Sequence, residues 1–339
     1  MYAFELTRAK SIAEAAAALA KSGGRALAGG QSLVGAMKLR LAQPGTLVDL
    51  SGIAELKGIK KEGEAIVIGA MTRHAEVATS STVKSAIPAL CALAQGIGDR
   101  QVRNMGTIGG SIANNDPAAD WPAAVLGLGA TVQTNKRKIG ADDFFKGLYE
   151  TALATDEIVT ALSFPIPKKA GYAKFPNPAS RFALVGVFVA QTAGGVRVAV
   201  TGAASSVFRS KPLEDALGKS FSADAAKVVK IEAKGLNGDL HGSPEYRAHL
   251  VAVMKHVTDI SSSTTATRPA SAARGKAPRA AKAGGGRAAP STGSAGRSTR
   301  NTEPRPVALS TTMWPRCSCT MPCTVARPMP LPLPTSLVE

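Results

Sequence analysis

Apolar residues recur at helical spacing over residues 11–22, SIAEAAAALAKS, then give way to short apolar runs at ALAGG (26–30) and TLVDL (46–50). The first stretch predicts an amphipathic helix with Ser11 as N-cap, Glu14 as its capping-box partner and Gly23-Gly24 as the stop. The two runs predict short buried strands separated by a helix over 33–41, so the chain opens by alternating helix and strand. IKKEGEAIVIG (59–69) reads as a hairpin turning at Glu62-Gly63-Glu64. Thr72 can cap a helix over 73–79, and another helix is expected over 83–95 with Pro88 inside its first turns. WPAAVLGLGATVQT is an apolar segment that turns through Gly127 and Gly129 into a strand, and EIVTALSFPIP (157–167) alternates as a strand ended by prolines. From about Gly171 the pattern changes to the strand-like runs RFALVGVFVAQTA and GVRVAVTGAA, then to helices near 212–217, 222–234 and 244–256. A domain boundary is placed near 168–171.

After Val257 the periodicity stops. Residues 261–339 are rich in Ser, Thr, Ala, Arg, Gly and Pro, and such a segment buries too little apolar surface to offset chain entropy, so it is expected to be disordered. The formal charge of +17 divides between this segment, where 11 basic and 3 acidic residues over 259–339 give +8, and the preceding body, which carries +9. A moderately basic body suits an anionic ligand, whereas the tail would adhere to polyanions without discrimination. Of the four cysteines only Cys91 lies in the body, which argues against a disulfide scaffold and fits a reducing compartment. The N-terminus lacks a basic stretch followed by an apolar core, and no 18-residue apolar span occurs, so a cytoplasmic protein without a membrane span is expected.

Two glycine pairs raise a sharper question. AGGQSL (28–33) and TIGGSI (107–112) both end an apolar run with Gly-Gly followed by a serine and an aliphatic residue. Glycine weakens helices and strands alike, so a pair between Ile108 and Ile112 implies close approach of something to the backbone. Either stretch alone reads as a tight turn. Two such loops face to face would converge backbone N–H groups and hydroxyls on a diphosphate. Asp116 and Asp120 follow the second loop four residues apart, and they read equally as a turn and cap around Pro117 or as ligand contacts.

Other nucleotide and catalytic signatures fail. No G-x-G-x-x-G follows a strand. Gly218-Lys219-Ser220 has Leu213 where a P-loop needs its first glycine, which leaves Lys219 as a solvated side chain. No G-x-S-x-G elbow is present. His74, His241, His249 and His256 show no metal-binding spacing and read as surface or capping residues. Cys317, Cys319 and Cys323 would need a fourth ligand and a folded frame to hold zinc or an iron-sulfur cluster.

The stretches LAGGQSLVGAMKLRLAQPGTLVDL, IGAMTRHAEV, RNMGTIGGSIANNDPAADWPAAVLGLGA and YRAHLVAVM resemble the FAD-binding medium subunit of molybdenum hydroxylases, closest to the aerobic carbon monoxide dehydrogenase type. The xanthine dehydrogenase flavin domain is a more distant relative. The resemblance runs in order over about residues 1–257. It implies an α+β fold, a PCMH-type FAD-binding domain of two lobes (1–57 and 58–170) and a C-terminal domain (171–257) with a small antiparallel sheet and helices. It also implies that the FAD pyrophosphate is held by Ala28, Gly29, Gly30, Gln31 and Ser32 in the first loop and by Thr107, Ile108, Gly109, Gly110 and Ser111 in the second. Asp120, thirteen positions after Thr107, matches an aspartate expected on the ribityl or adenosine side. Lys174 matches a lysine near the flavin, Val159 an aliphatic residue whose backbone borders it, and Phe182 stands where close relatives often place a stacking Tyr. A phenylalanine there preserves stacking but not a phenolic hydrogen bond.

The implied function is electron transfer. Substrate would be oxidised at a molybdenum cofactor in a large subunit, electrons would cross iron-sulfur clusters in a small subunit, and FAD in this chain would pass them to an external acceptor. No catalytic residue of this chain is then expected. A stand-alone flavin oxidoreductase of the PCMH class is the alternative, but it would need its own substrate pocket and a covalent flavin link, and His74 and Cys91 lie outside the glycine loops. A polyanion-binding protein acting through the basic tail is a further alternative, although nucleic acid is not the expected partner. Relatives end soon after YRAHLVAVM, and residues 258–339 have the composition of a GC-rich gene read out of frame, the other reading being a genuine basic arm.

Overall fold

The computed structural model describes residues 1–254. The expected disorder of the tail, the cysteines at 317, 319 and 323, and His256 lie outside the described residues. The described chain is α+β, with three successive larger sheets, a two-stranded ribbon of Phe145–Gly147 and Glu150–Thr151, and a cluster of short helices. First comes a parallel sheet in the order Glu5–Arg8, Thr46–Asp49, Arg25–Leu27. Its crossover is the helix Ile12–Ser22, where Ser11 Oγ accepts from Glu14 N at 3.2 Å and Gly23 ends the helix in the left-handed conformation. The Glu14 carboxylate accepts from Lys10 N at 2.8 Å, one residue further back than a capping box would place it. Ala15, Leu19, Val48, Leu50, Ile53 and Leu56 make the core of this lobe, closed by Met71 and Ile158 from the next.

The second sheet is antiparallel, in the order Ile59–Glu62, Ala65–Gly69, Val159–Pro165, Thr131–Thr134, Lys138–Gly140. Its inner face is set by period-two alternation: Ile66, Ile68, Leu162, Phe164 and Val132 point to the core. The helix Trp121–Leu128 lies between this sheet and the third, and all eight of its residues are buried. That explains its unbroken apolar sequence, since a helix covered all round has no polar face to show. Gly127 is required inside it because a Cβ there would lie 2.8 Å from the Phe188 ring. The third sheet, also antiparallel, runs Lys169–Pro176, Ala183–Thr192, Gly195–Thr201, Phe208–Arg209. Val185, Val187 and Val189 face a separate core under the helices Lys211–Lys219 and Pro244–Met254, while Phe188 and Ala190 face the helix Trp121–Leu128.

Several local expectations are corrected. The helix expected over 83–95 is two helices, Ser81–Ala86 and Pro88–Gln95, because Pro88 starts a helix and extends the residue before it, Ile87, to φ −139° and ψ 74°. Thr72 does not cap the helix His74–Thr79. Its hydroxyl bridges the backbone of Gly58, and the N-cap is Arg73, whose N–H donates to Glu76. The helix expected over 33–41 ends at Lys38, and that over 222–234 shrinks to Ala223–Lys227. The strands Glu5–Arg8 and Lys169–Pro176 and the helix Arg100–Met105 carry too few periodic apolar positions to be read from sequence.

Candidate functional site

The first glycine loop leaves the parallel sheet after Leu27 and turns through Gly30, at φ +72°, into the helix Leu33–Lys38. Among the described residues no acceptor meets the backbone N–H groups of Gly30, Gln31 and Ser32, and the Ser32 hydroxyl makes no cap bond. Three donors and a hydroxyl are therefore available on one turn.

The second stretch is not a loop, as its glycines suggest, but the first turn of the helix Ile108–Asn114. Thr107 caps it, its Oγ accepting from Gly110 N at 3.2 Å. The N–H groups of Ile108 and Gly109 donate to Thr72 O and Ala70 O, and that of Ser111 to Thr107 O. The backbone donors of Ile108, Gly109, Gly110 and Ser111 are thus used within the chain, which corrects the expectation that both glycine pairs aim their N–H groups outward. What this side still offers is the Thr107 N–H and hydroxyl proton and the Ser111 hydroxyl.

The two stretches do meet. A Cβ on Gly29 would lie 2.1 Å from Met105 O and 2.8 Å from Gly106 Cα, and one on Gly110 would lie 3.3 Å from Ala28 Cβ. Gly109 admits no Cβ either, since Ala70 Cβ would be 2.5 Å away. The close approach that the glycines announce is first an approach of the protein to itself, forming a seam between the lobes. That seam fits a diphosphate: half-buried, with unpaired N–H groups and hydroxyls and no carboxylate among its residues.

Val159 begins a central strand, and its neighbour Thr160 accepts through its carbonyl from Ala70 N, one hydrogen bond away from Gly109. Asp120 and Lys174 form a separate pair with a 2.9 Å ion pair, both side chains under a tenth exposed. Tyr172 Oη donates to the other Asp120 oxygen at 2.6 Å, and Lys174 Nζ also donates to Gly96 O. Burial pushes the Asp120 carboxyl upward against the lowering effect of Lys174 and Tyr172, and burial beside Asp120 pushes the Tyr172 phenol well up. Of the two uses foreseen for Asp116, the turn is the one present: its Oδ1 accepts from Ala118 N at 2.8 Å. Phe182 sits on the turn between two strands, 46 % exposed as a residue, next to Arg181, whose guanidinium reaches Gly98 O. Among the described residues no hydrogen bond or ion pair joins Asp120, Lys174 or Phe182 to either glycine stretch.

His74 was expected at the surface and is instead buried, its Nδ1 accepting from Trp121 Nε1 at 3.0 Å. Burial, with the nearby Arg103 charge, lowers its pKa to about 4. His74 and Trp121 lie 47 residues apart, and no spacing rule could pair them. Lys219 is exposed at a helix end, Cys91 donates to Val77 O inside the core with its thiol pushed up by burial, and among the described residues no group of three or more metal-ligating residues gathers. No helix there is long and apolar enough to cross a membrane.

A two-lobed α+β body with a glycine seam between its lobes, followed by an antiparallel sheet with helices, defines the class of PCMH-type flavin-binding subunits. Residues 2–167 match the family described as the FAD binding domain in molybdopterin dehydrogenase, and the chain belongs to that family. It is 35 % identical over 269 residues to the carbon monoxide dehydrogenase medium chain of Hydrogenophaga pseudoflava, covering 74 % of this chain and 94 % of that one. Identity to the nicotine 6-hydroxylase medium subunit of Paenarthrobacter nicotinovorans is 36 %, covering 62 % of this chain and 80 % of the relative. Among solved structures, carbon monoxide dehydrogenase from Hydrogenophaga pseudoflava superimposes with a TM-score of 0.70 at 35 % identity, over 77 % of this chain and 97 % of the other. Quinoline 2-oxidoreductase from Pseudomonas putida 86 gives 0.70 at 29 % identity over the same shares.

Proposed function

We propose that this chain is the FAD-binding electron-transfer subunit of a molybdenum-containing hydroxylase or dehydrogenase, assembled with a molybdenum-cofactor large subunit and an iron-sulfur small subunit in the cytoplasm. The observation that carries it is the seam where Gly29 presses on Met105 and Gly106, with the N–H groups of Gly30, Gln31 and Ser32 unpaired beside it. The relatives are named as medium chains and medium subunits, which supports a multi-chain enzyme. When bound, FAD supplies the redox chemistry, taking electrons from the iron-sulfur side and giving them to an external acceptor.

In this reading Ala28, Gly29, Gly30, Gln31 and Ser32 hold the diphosphate from one lobe. Thr107, Ile108, Gly109, Gly110 and Ser111 hold it from the other, through hydroxyls and through the close fit that the glycines allow. Asp120 acts through Lys174, whose ammonium it fixes, because both of its oxygens already have donors within the chain. The backbone at Val159 borders the flavin, and the exposed ring of Phe182 is available for stacking.

Denaturing and filtering the purified full chain should release a yellow chromophore, and flavin-free protein should take up added FAD. Once its flavin is reduced, the chain should pass electrons to an artificial acceptor, yet it should oxidise no organic substrate by itself. A colourless protein indifferent to FAD would overturn the assignment, and substrate-dependent turnover by the isolated chain would move it to a stand-alone oxidase.

A further inference from the structure

The buried His74–Trp121 pair has no part in the function described so far. The indole N–H can only donate, so the His74 Nδ1 that accepts it at 3.0 Å carries no proton. A neutral imidazole then has its proton on Nε2, and the tautomer is fixed. That nitrogen lies against Gly106: a Cβ there would be 2.7 Å from Nε2 and 2.9 Å from Cδ2. Gly106 in turn is the residue on which Gly29 presses. The backbone holds the ring in the same place, since His74 N donates to Gly106 O at 3.0 Å and Arg73 pairs with Thr107 across the seam. Among the described residues nothing accepts the Nε2 proton.

The residue is 5 % exposed, yet Nε2 is not among the buried side-chain atoms left without a partner, so it keeps solvent access and an oxygen from a ligand can reach its proton. We infer that His74 is an additional donor of the anion site, its Nε2–H held by Trp121 for an oxygen of the diphosphate bound at the seam. The inference rests on the flavin reading above. It gives that reading a side-chain donor on the second lobe, where the N–H groups of both glycines are already used.

The test uses the full chain, nitrogen-15 labelled on histidine, titrated with FAD, ADP and riboflavin. In the free protein His74 should show the Nε2-protonated tautomer, and its Nε2 resonance should move with FAD and with ADP but not with riboflavin, which has no diphosphate. His74→Asn places an amide oxygen where Nδ1 accepts from Trp121 and removes the seam donor. Its thermal midpoint should stay within a few degrees, while FAD affinity falls roughly ten- to hundredfold, as expected for one hydrogen bond to a charged acceptor. His74→Gln, which can return an N–H toward the seam, should recover most of that loss. A wild-type chain that binds FAD while its His74 resonance ignores both FAD and ADP overturns this inference alone, as does undiminished affinity in His74→Asn. A wild-type chain that binds no FAD overturns the flavin reading and this inference with it.

Discussion

Glycines that look alike in sequence do different things in the fold. Gly29 and Gly109 are each pressed against another segment's backbone, with a Cβ falling 2.1 Å from Met105 O and 2.8 Å from Ala70 O. Gly35, inside the helix Leu33–Lys38, has open space where its Cβ would stand. Gly109→Ala should therefore cost about 1–3 kcal/mol through overpacking, whereas Gly35→Ala should gain about 0.5–1 kcal/mol from helix propensity, both read from urea midpoints. Equal stability of the two variants would refute the seam geometry. The pairs themselves are legible in the sequence, but the reason for them is not, because Ala70 and Met105 come to the glycines from other elements. His74 makes a second prediction at this scale. Its folded pKa of about 4 lies below the ordinary 6.5, so between these values the unfolded chain binds more protons. The stability it contributes is complete above pH 6.5 and is lost as pH falls toward 4, by an amount on the order of 3 kcal/mol. Urea midpoints of the wild type should drop through that window, and those of His74→Gln should flatten there. A further fall is expected between pH 4.5 and 2, where Glu157, held down to about 2 by Arg137, becomes protonated.

Elements follow the sequence where one face or one cap decides them. The helix Ile12–Ser22 starts at Ser11 and ends at Gly23 as its capping residues dictate. The break at Ile87 shows the opposite case: apolar spacing runs straight through it, and only the steric demand of Pro88 on the preceding residue interrupts the helix. Long-range polar staples are not legible at all. Arg247, on the last described helix, is 3 % exposed, and its guanidinium donates to Leu184 O, Gly202 O and Asp239, tying that helix to the third sheet. Its position in YRAHLVAVM gives no hint of this. Arg247→Met would leave two buried carbonyls without this donor and remove an ion pair to the half-exposed Asp239, and should lower stability by about 2–5 kcal/mol, chiefly through the carbonyls. A change below about 1 kcal/mol in chemical denaturation would show that the staple is replaced by solvent.

At the scale of the whole molecule, three cores of the flavin-binding body are built from the described residues. Leu250 and Val251 of the helix Pro244–Met254 complete the core beneath the third sheet, and all residues proposed for FAD lie between Ala28 and Phe182. About half of the formal charge belongs to residues 259–339, which carry +8 against +9 before them. Charge of that kind contributes to adhesion on polyanions, an interaction that salt screens over about 8–10 Å at physiological strength, and not to a diphosphate site built from backbone and hydroxyl donors. A chain ending at Val257 should therefore keep its FAD affinity within about twofold and its thermal midpoint within a few degrees, differences well under 1 kcal/mol. It should lose only salt-sensitive retention on heparin or nucleic acid. Affinity measured by flavin fluorescence at two ionic strengths separates the terms, because diphosphate binding at the seam should respond weakly to salt and tail adhesion strongly. Release of the flavin on truncation would instead assign residues 258–339 a part in holding the body together, and resequencing the gene around codon 258 would then no longer be expected to reveal a single-base insertion or deletion.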